Sequence, residues 1–313
     1  QPRRLDNGHL LIFDNGWGPP GRGWSRSLEL APDTGQIVWE SRAEPPEAFR
    51  GLLDADKYAT LARYNRARLG LSAAAETWET ALILAFLLAG GFNALDLALR
   101  SVDLLSALGP IALGLAYFAV LGLALDLAGL PFAAIHTFVL EERFGFNRTT
   151  VATFIADKLK AWLLAALLGG GLLAAILALL AWAGPWAWLW CWAVGAGFSL
   201  LLAYVAPAWI LPLFNTFTPL EDGELRTRLE AYAAAQGFEL SGIFVIDGSR
   251  RSSKSNAYFT GFGKKRRIAL FDTLVERHDP EALTAVLAHE VGHARLGHIR
   301  TRLVLGILRM GVV

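Results

Sequence analysis

A chain of 313 residues with only 18% charged and 54% apolar side chains does not have the composition of a soluble protein, and its uncharged run from Ala161 to Leu220 is long enough for two membrane spans. A net charge of +1 leaves no electrostatic footprint for nucleic acid. The single cysteine, Cys191, excludes an internal disulfide framework and a thiolate metal site, so any metal must be held by nitrogen and oxygen.

Residues 1–44 read differently from the rest. Asn7-Gly8 and Asn15-Gly16 are turn dipeptides, and His9 to Phe13 and Gln36 to Glu40 are predicted as short strands. Leu5-Asp6-Asn7-Gly8-His9-Leu10-Leu11-Ile12-Phe13-Asp14-Asn15-Gly16 and Thr34-Gly35-Gln36-Ile37-Val38-Trp39-Glu40 resemble one blade of an arylsulfotransferase-type β-propeller. A single blade has no neighbour to bury its faces against, so the segment is expected to be a fusion remnant, a mis-assigned gene start or a small β appendage. No sulfotransferase activity is inferred.

Glu44 to Glu79 is polar and predicted helical, with residues 45–80 read as a cytoplasmic juxtamembrane helix. Four transmembrane segments are predicted within residues 81–213: Ala81 to Leu99, Leu104 to about Leu125 with an apolar continuation to Leu140, Ala161 to Ala183, and Trp186 to Leu213. Gly184-Pro185 breaks the chain between the last two. Arg143, Arg148, Lys158 and Lys160 fall in one loop, whereas Arg100 is the only basic residue expected on the opposite side. The positive-inside rule makes the basic side cytoplasmic, and the Ala- and Arg-rich composition points to a bacterial inner membrane.

Asp126 is expected near the exit of the second span, in an interfacial role. Asn147-Arg148-Thr149 matches a glycosylation acceptor by chance, because the cytoplasmic side is not modified. The Arg250-Arg251 and Lys264-Lys265-Arg266-Arg267 clusters read as a solvated face or, more sharply, as attraction for anionic lipid.

Residues 214–313, which carry an H-E-x-x-H motif, are predicted as a zinc metalloprotease domain truncated before its third ligand. Glu221 to Gln236 reads as an amphipathic helix ended by Gly237, and Gly242 to Asp247, Ser255 to Gly261 and Arg267 to Asp272 read as strands. Pro280 to Gly297 is then a helix, with Asp279 as its N-cap and Pro280 at its first position. It carries His289-Glu290-Val291-Gly292-His293, the H-E-x-x-H pattern that sets two imidazoles on one helix face for a zinc ion, with Glu290 beside it to act on a water. His298, five residues past His293, is rotated about 140° from it and is not expected to ligate. No Asp or Glu follows Ala294, so the third ligand of one Zn2+ per chain is either an upstream acid or, the preferred expectation, a residue beyond Val313. The start at Gln1 and the stop at Val313 inside an apolar run read as cut ends.

Four blocks carry a wider resemblance. Phe138-Val139-Leu140-Glu141-Glu142-Arg143-Phe144-Gly145-Phe146-Asn147, Pro212-Leu213-Phe214-Asn215-Thr216-Phe217-Thr218-Pro219-Leu220, Ser255-Asn256-Ala257-Tyr258-Phe259-Thr260-Gly261 with Arg267 to Leu274, and the histidine motif through His298 occur in order. From about Pro45 the chain resembles the type-1 CAAX prenyl endopeptidases, integral-membrane zinc proteases of the gluzincin group. The implied fold is mainly α, a multi-span membrane protein with a small α+β gluzincin-type domain. The resemblance also implies seven helices ringed around an intramembrane chamber, a substrate-pairing strand containing Asn256, Ala257 and Tyr258, and a downstream glutamate as third ligand. The expected partners are a peptide or protein substrate and membrane lipid, with no nucleic acid. A heat-shock-type quality-control metallopeptidase and a catalytically silent membrane scaffold are the alternatives. A transporter or channel is disfavoured because the last two predicted spans carry no charge.

Overall fold

The structure, a computed structural model, describes residues 3–4, 10–14, 26–30, 37–41, 55–237, 240–260 and 266–311. Both N-terminal turn dipeptides and Lys264-Lys265 lie outside the described residues. The chain divides into two compact units, one made of residues 1–85 and 128–144 and the other of residues 86–127 and 145–313.

In the first unit, β1 (Arg3–Arg4), β2 (Leu10–Asp14), β3 (Arg26–Leu30) and β4 (Ile37–Ser41) form an antiparallel meander in sequence order. Leu10 pairs with Leu30 and Asp14 with Arg26, and the register slips at Glu29/Leu30. The predicted strands at 9–13 and 36–40 match β2 and β4 to within a residue, whereas β3 was not predicted. Helix α1 (Ala55–Leu88) follows, and its part in this unit is fastened to residues 128–144 by Tyr64 and Trp78. Tyr64 is buried, donates its hydroxyl to Glu141 and meets the Phe144 ring edge-on at 5.3 Å. The Trp78 indole donates to the Ala128 carbonyl at 3.2 Å.

The structure draws the first span differently from the sequence reading. The apolar helix already begins at Ala59 and runs unbroken to Leu88, and the predicted segment from Ala81 to Leu99 is interrupted at Gly90. Gly90 has φ 69°, a left-handed conformation that costs any residue with a Cβ, and α2 (Gly91–Arg100) starts after it. Next come α3 (Asp103–Leu108) and α4 (Pro110–Ile135), the latter extended by a π-helical turn over His136–Glu141. Pro131 inside α4 lacks a backbone donor, yet the helix runs through it to Ile135.

Helix α5 (Val151–Leu164) starts ten residues before the predicted third span, because the Thr150 hydroxyl caps it by accepting from the Thr153 N–H at 3.1 Å. Lys158 and Lys160, predicted in a loop, are therefore helical. A π-helical turn at Ala165–Gly169 leads into α6 (Gly170–Trp182). Past a single turn at Gly184–Trp186, α7 (Ala187–Val205) continues through a further π-helical turn at Ala206–Ile210 into α8 (Leu211–Phe214).

Among the described residues four helices are long and apolar enough to cross a membrane: Ala59–Leu88, Pro110–Glu141, Val151–Trp182 and Gly184–Phe214. Their large apolar side chains stay exposed, Trp182 by 80% and Trp209 by 75%, which is unfavourable in water and expected in lipid.

The C-terminal part of the second unit has its own core. Strands β5 (Phe217–Pro219), β6 (Leu240–Ile246), β7 (Ala257–Thr260) and β8 (Arg266–Phe271) form a sheet in the order β5-β6-β8-β7, antiparallel except for β6 with β8. Helix α9 (Glu224–Ala235), the short α10 (Asp272–Val275) and α11 (Pro280–Arg295) complete it, followed by α12 (His298–Met310). Leu229 and Ala233 of α9 and Leu283, Leu287 and Val291 of α11 close over Ile243, Ile268 and Leu270 of the sheet.

Candidate metal centre

Helix α11 is fixed at both ends by chemistry written into its sequence. The Asp279 carboxylate accepts from the Ala282 N–H at 2.7 Å, and the Asp279 carbonyl accepts from the Leu283 N–H at 3.1 Å. Pro280 occupies the first position, where a missing donor costs nothing. At the other end, Gly297 has φ 65° and turns the chain into α12.

Between these caps, Leu283, Leu287 and Val291 recur every fourth residue and are at most 2% exposed. That stripe fixes the rotation of the helix. At about 100° per residue, His289 and His293 occupy positions one turn apart and centred about 140° away from the stripe. Glu290 sits between the histidine positions and the core-facing side. His298 is not on α11 at all; it opens α12 beyond the break at Gly297. Two imidazole-bearing positions one turn apart, with no cysteine nearer than Cys191 on α7, are a donor set suited to zinc. Among the described residues no three His, Cys, Asp or Glu side chains gather closely enough to hold a metal.

The strand beside this helix is an edge. β7 pairs with β8 on one side, Ala257 opposite Leu270 and Tyr258 opposite Ala269, and no described strand pairs with its other side. Ala257 points into the core against α11, while Tyr258 is half-buried on the other face, edge-on to Phe271 at 6.4 Å. Burial pushes the Tyr258 phenol up, so it stays protonated. Asn256 precedes the strand; its carbonyl accepts from the Phe271 N–H and its side chain accepts from the Ala257 N–H at 2.9 Å. Because Asn256 bonds inward to Phe271, ladder alternation turns the backbone groups of Ala257 and Phe259 toward the open edge.

The loop leading into β7 is held from three directions, by residues whose bracing role motif reading did not reveal. Arg251 makes a two-pronged bond to Asp157 of α5, at 2.7 and 2.9 Å, and a third to Asn215 at 3.2 Å. It is therefore engaged in an ion pair, not free for lipid as the basic-cluster reading allowed, and the Asp157 carboxylate holds the guanidinium pKa above its ordinary value. Ser253 donates its hydroxyl to the Gly145 carbonyl and its N–H to the Phe146 carbonyl, and it accepts at its own carbonyl from Arg277 at 2.8 Å. Lys254 lies 4.7 Å from the centre of the Phe146 ring. The Gly145-Phe146-Asn147 and Asn215-Thr216 stretches thus brace the approach to the edge strand. No local signal reveals this, since Arg251 and Asp157 are 94 positions apart in sequence.

Comparison with known proteins agrees with this layout. Residues 36–216 match a family profile described as CAAX prenyl protease N-terminal, five membrane helices, and residues 219–312 match peptidase family M48. CAAX prenyl protease 1 of Saccharomyces cerevisiae is 37% identical over 268 residues, covering 83% of this chain and 59% of the yeast protein. The CAAX prenyl protease 1 homolog of Arabidopsis thaliana is 43% identical over 174 residues, 55% of this chain and 41% of the plant protein. The crystal structure of S. mikatae Ste24p superposes with a TM-score of 0.80 at 35% identity, covering 87% of this chain and 64% of that one. The chain spans about half the length of the curated relatives it matches. The five-helix membrane profile and the four apolar helices together make it an integral-membrane protein.

Proposed function

Since the chain belongs to the M48 peptidase family of CAAX prenyl proteases, we propose that it forms the catalytic part of a membrane-embedded zinc endopeptidase that cleaves peptide bonds of protein substrates, as the names of its relatives suggest for CAAX processing. The observation that carries the proposal is the pair of histidine positions one turn apart on α11, beside a sheet edge on the same small domain. His289 and His293 would hold one zinc ion, which when bound supplies Lewis-acid polarisation of the scissile carbonyl and a lowered water pKa. The third ligand of the proposal is a residue following Val313.

Glu290 takes the proton of the attacking water as the new C–O bond forms, then delivers it to the amine as the C–N bond breaks. β7 receives the substrate as an added strand through the outward backbone groups of Ala257 and Phe259, with Asn256 and Tyr258 framing that edge. The charge asymmetry of the loops supports an orientation with α11 toward the cytoplasmic side. The relatives named above are eukaryotic, so the bacterial inner membrane suggested by composition is not carried further.

The test is zinc per chain and peptide hydrolysis, measured on the 313-residue protein and on one continued past Val313. Glu290→Gln is expected to keep zinc and lower turnover by roughly 100- to 10,000-fold, whereas His289→Ala or His293→Ala loses both. Full activity in Glu290→Gln would sink the assignment. Stoichiometric zinc with no hydrolysis of any peptide in the longer chain would favour the silent scaffold. Stoichiometric zinc in the 313-residue chain would move the third ligand upstream.

A further inference from the structure

We propose that an arginine-lined recess in the first unit binds a phosphate group at the membrane boundary, supplied by the headgroup of an anionic lipid. The recess has a volume of about 570 Å³ and is lined by Thr60, Arg63, Arg66 and Ala67 of α1 and by Arg143 and Phe144. It is remote in sequence from α11 and independent of the protease reading.

Three observations carry this. First, the arginines have no acidic partner among the described residues. Among the described residues no carboxylate lies within ion-pair distance of Arg63, Arg66 or Arg143, whereas Arg100, Arg226, Arg228 and Arg251 each pair with an acid. Arg63 donates only to the Thr60 hydroxyl, at 3.0 Å, and Arg143 lies beside the Phe144 ring, 6.0 Å from its centre. Glu141, two residues before Arg143, accepts from the buried Tyr64 hydroxyl and lies 3.7 Å from the His136 imidazole. Three guanidiniums around one recess repel each other until an anion enters, and their planar donor sets match phosphate oxygens two at a time.

Second, the arrangement is built rather than incidental. Arg63 and Arg66 are three apart on one face of a helix, and between them Tyr64, 4% exposed, ties α1 to Glu141 and Phe144 directly before and after the turn that carries Arg143. The third observation is position. Ala59 begins one membrane-crossing helix and Glu141 ends another, so the recess lies where both meet the headgroup layer. Basic pockets between helices at that depth suit lipid phosphates, while Ala67 and Phe144 offer an apolar wall to the glycerol.

The experiment is native mass spectrometry of the 313-residue protein released from micelles doped with equal amounts of phosphatidylcholine and phosphatidylglycerol, with and without inorganic phosphate. The wild type is expected to retain phosphatidylglycerol preferentially. The Arg63→Gln/Arg66→Gln/Arg143→Gln variant should lose that preference by on the order of 10- to 100-fold, and Arg226→Gln/Arg228→Gln should leave it unchanged. A phosphatidylglycerol adduct that millimolar phosphate does not displace identifies the headgroup as the source; a phosphate adduct that replaces it, and that the triple variant also loses, identifies free phosphate. Should the glutamine variant fail to fold, the corresponding triple lysine variant keeps the charge but loses the paired donors, and a reduced preference is expected there too. Equal retention of both lipids by the wild type, or undiminished preference in the variants, overturns the proposal.

Discussion

Asp126 shows how a single residue changes meaning once its neighbours are known. Its place in an apolar run suggested a boundary residue, yet it lies within α4, accepting from Lys158 of α5 at 2.8 and 3.0 Å and from the Trp162 indole at 2.9 Å. A lone carboxylate or ammonium on a spanning helix is costly, so each charge is tolerated because the other is present. Lys158→Met is therefore expected to destabilise the protein by about 2 kcal/mol, by stranding Asp126, while Lys158→Met/Asp126→Leu recovers most of the loss. Reversible unfolding in micelles of both variants checks this; equal losses would show that the charges do not act as a unit. The partnership was not legible in the sequence, where Lys158 read as a loop residue 32 positions away. The helical spacing of His289, Glu290 and His293 was legible because it is local, one helical turn that needs no distant partner to be recognised. Asp157 and Arg251 stand at the other extreme, since nothing local distinguishes a bracing ion pair from a solvated charge.

At the scale of elements, the same contrast separates α11 and the C-terminal sheet from the first span. Short apolar runs marked β6, β7 and β8, and Asp279 with Pro280 marked the start of α11, because each signal is contained within one element. The three-residue strand β5, with Pro219 at its end, is too short to alternate and exists only because β6 lies beside it. The arginines and acids of α1 pulled the hydropathy signal toward its C-terminal end, so its apolar stretch seemed to begin at Ala81 although the helix is continuous from Ala55. The two ends of α11 make their own prediction. Asp279→Ala removes the N-cap bond and is expected to cost about 1 kcal/mol. Gly297→Ala has open space around the new methyl group but must adopt φ 65°, and is expected to cost about 1 kcal/mol through the backbone alone. Because the two positions share no partner, the double variant should show the sum in a denaturant titration; a non-additive result would mean that the helix ends are coupled through the turns between them.

For the whole molecule, the governing fact is the uneven distribution of charge about the apolar helices. The linker from Ser101 to Asp103 and the segment from Glu221 onward are separated by Pro110–Glu141, Val151–Trp182 and Gly184–Phe214, three helices long and apolar enough to cross a membrane, and three crossings would put them on opposite sides. Only Arg100 adjoins the first, whereas Arg226, Arg228, Arg250, Arg251 and Arg267 follow the second. Translocating the second group would drag many cations through the bilayer, and retaining it in the cytoplasm avoids that cost. Under the proposed function, the same asymmetry bears on the side from which a substrate would approach α11. With the sole cysteine replaced, Cys191→Ser, a cysteine introduced at the exposed positions Glu221 or Val102 reads each side separately. Glu221→Cys is expected to react with a membrane-impermeant maleimide only in vesicles whose cytoplasmic face is outward, and Val102→Cys only in the opposite orientation. Reversal of both patterns would turn the protein over and put α11 on the outer side. Labelling of both positions from one side would instead mean that one of the three helices lies along the membrane rather than across it, and the positive-inside argument would then lose its footing.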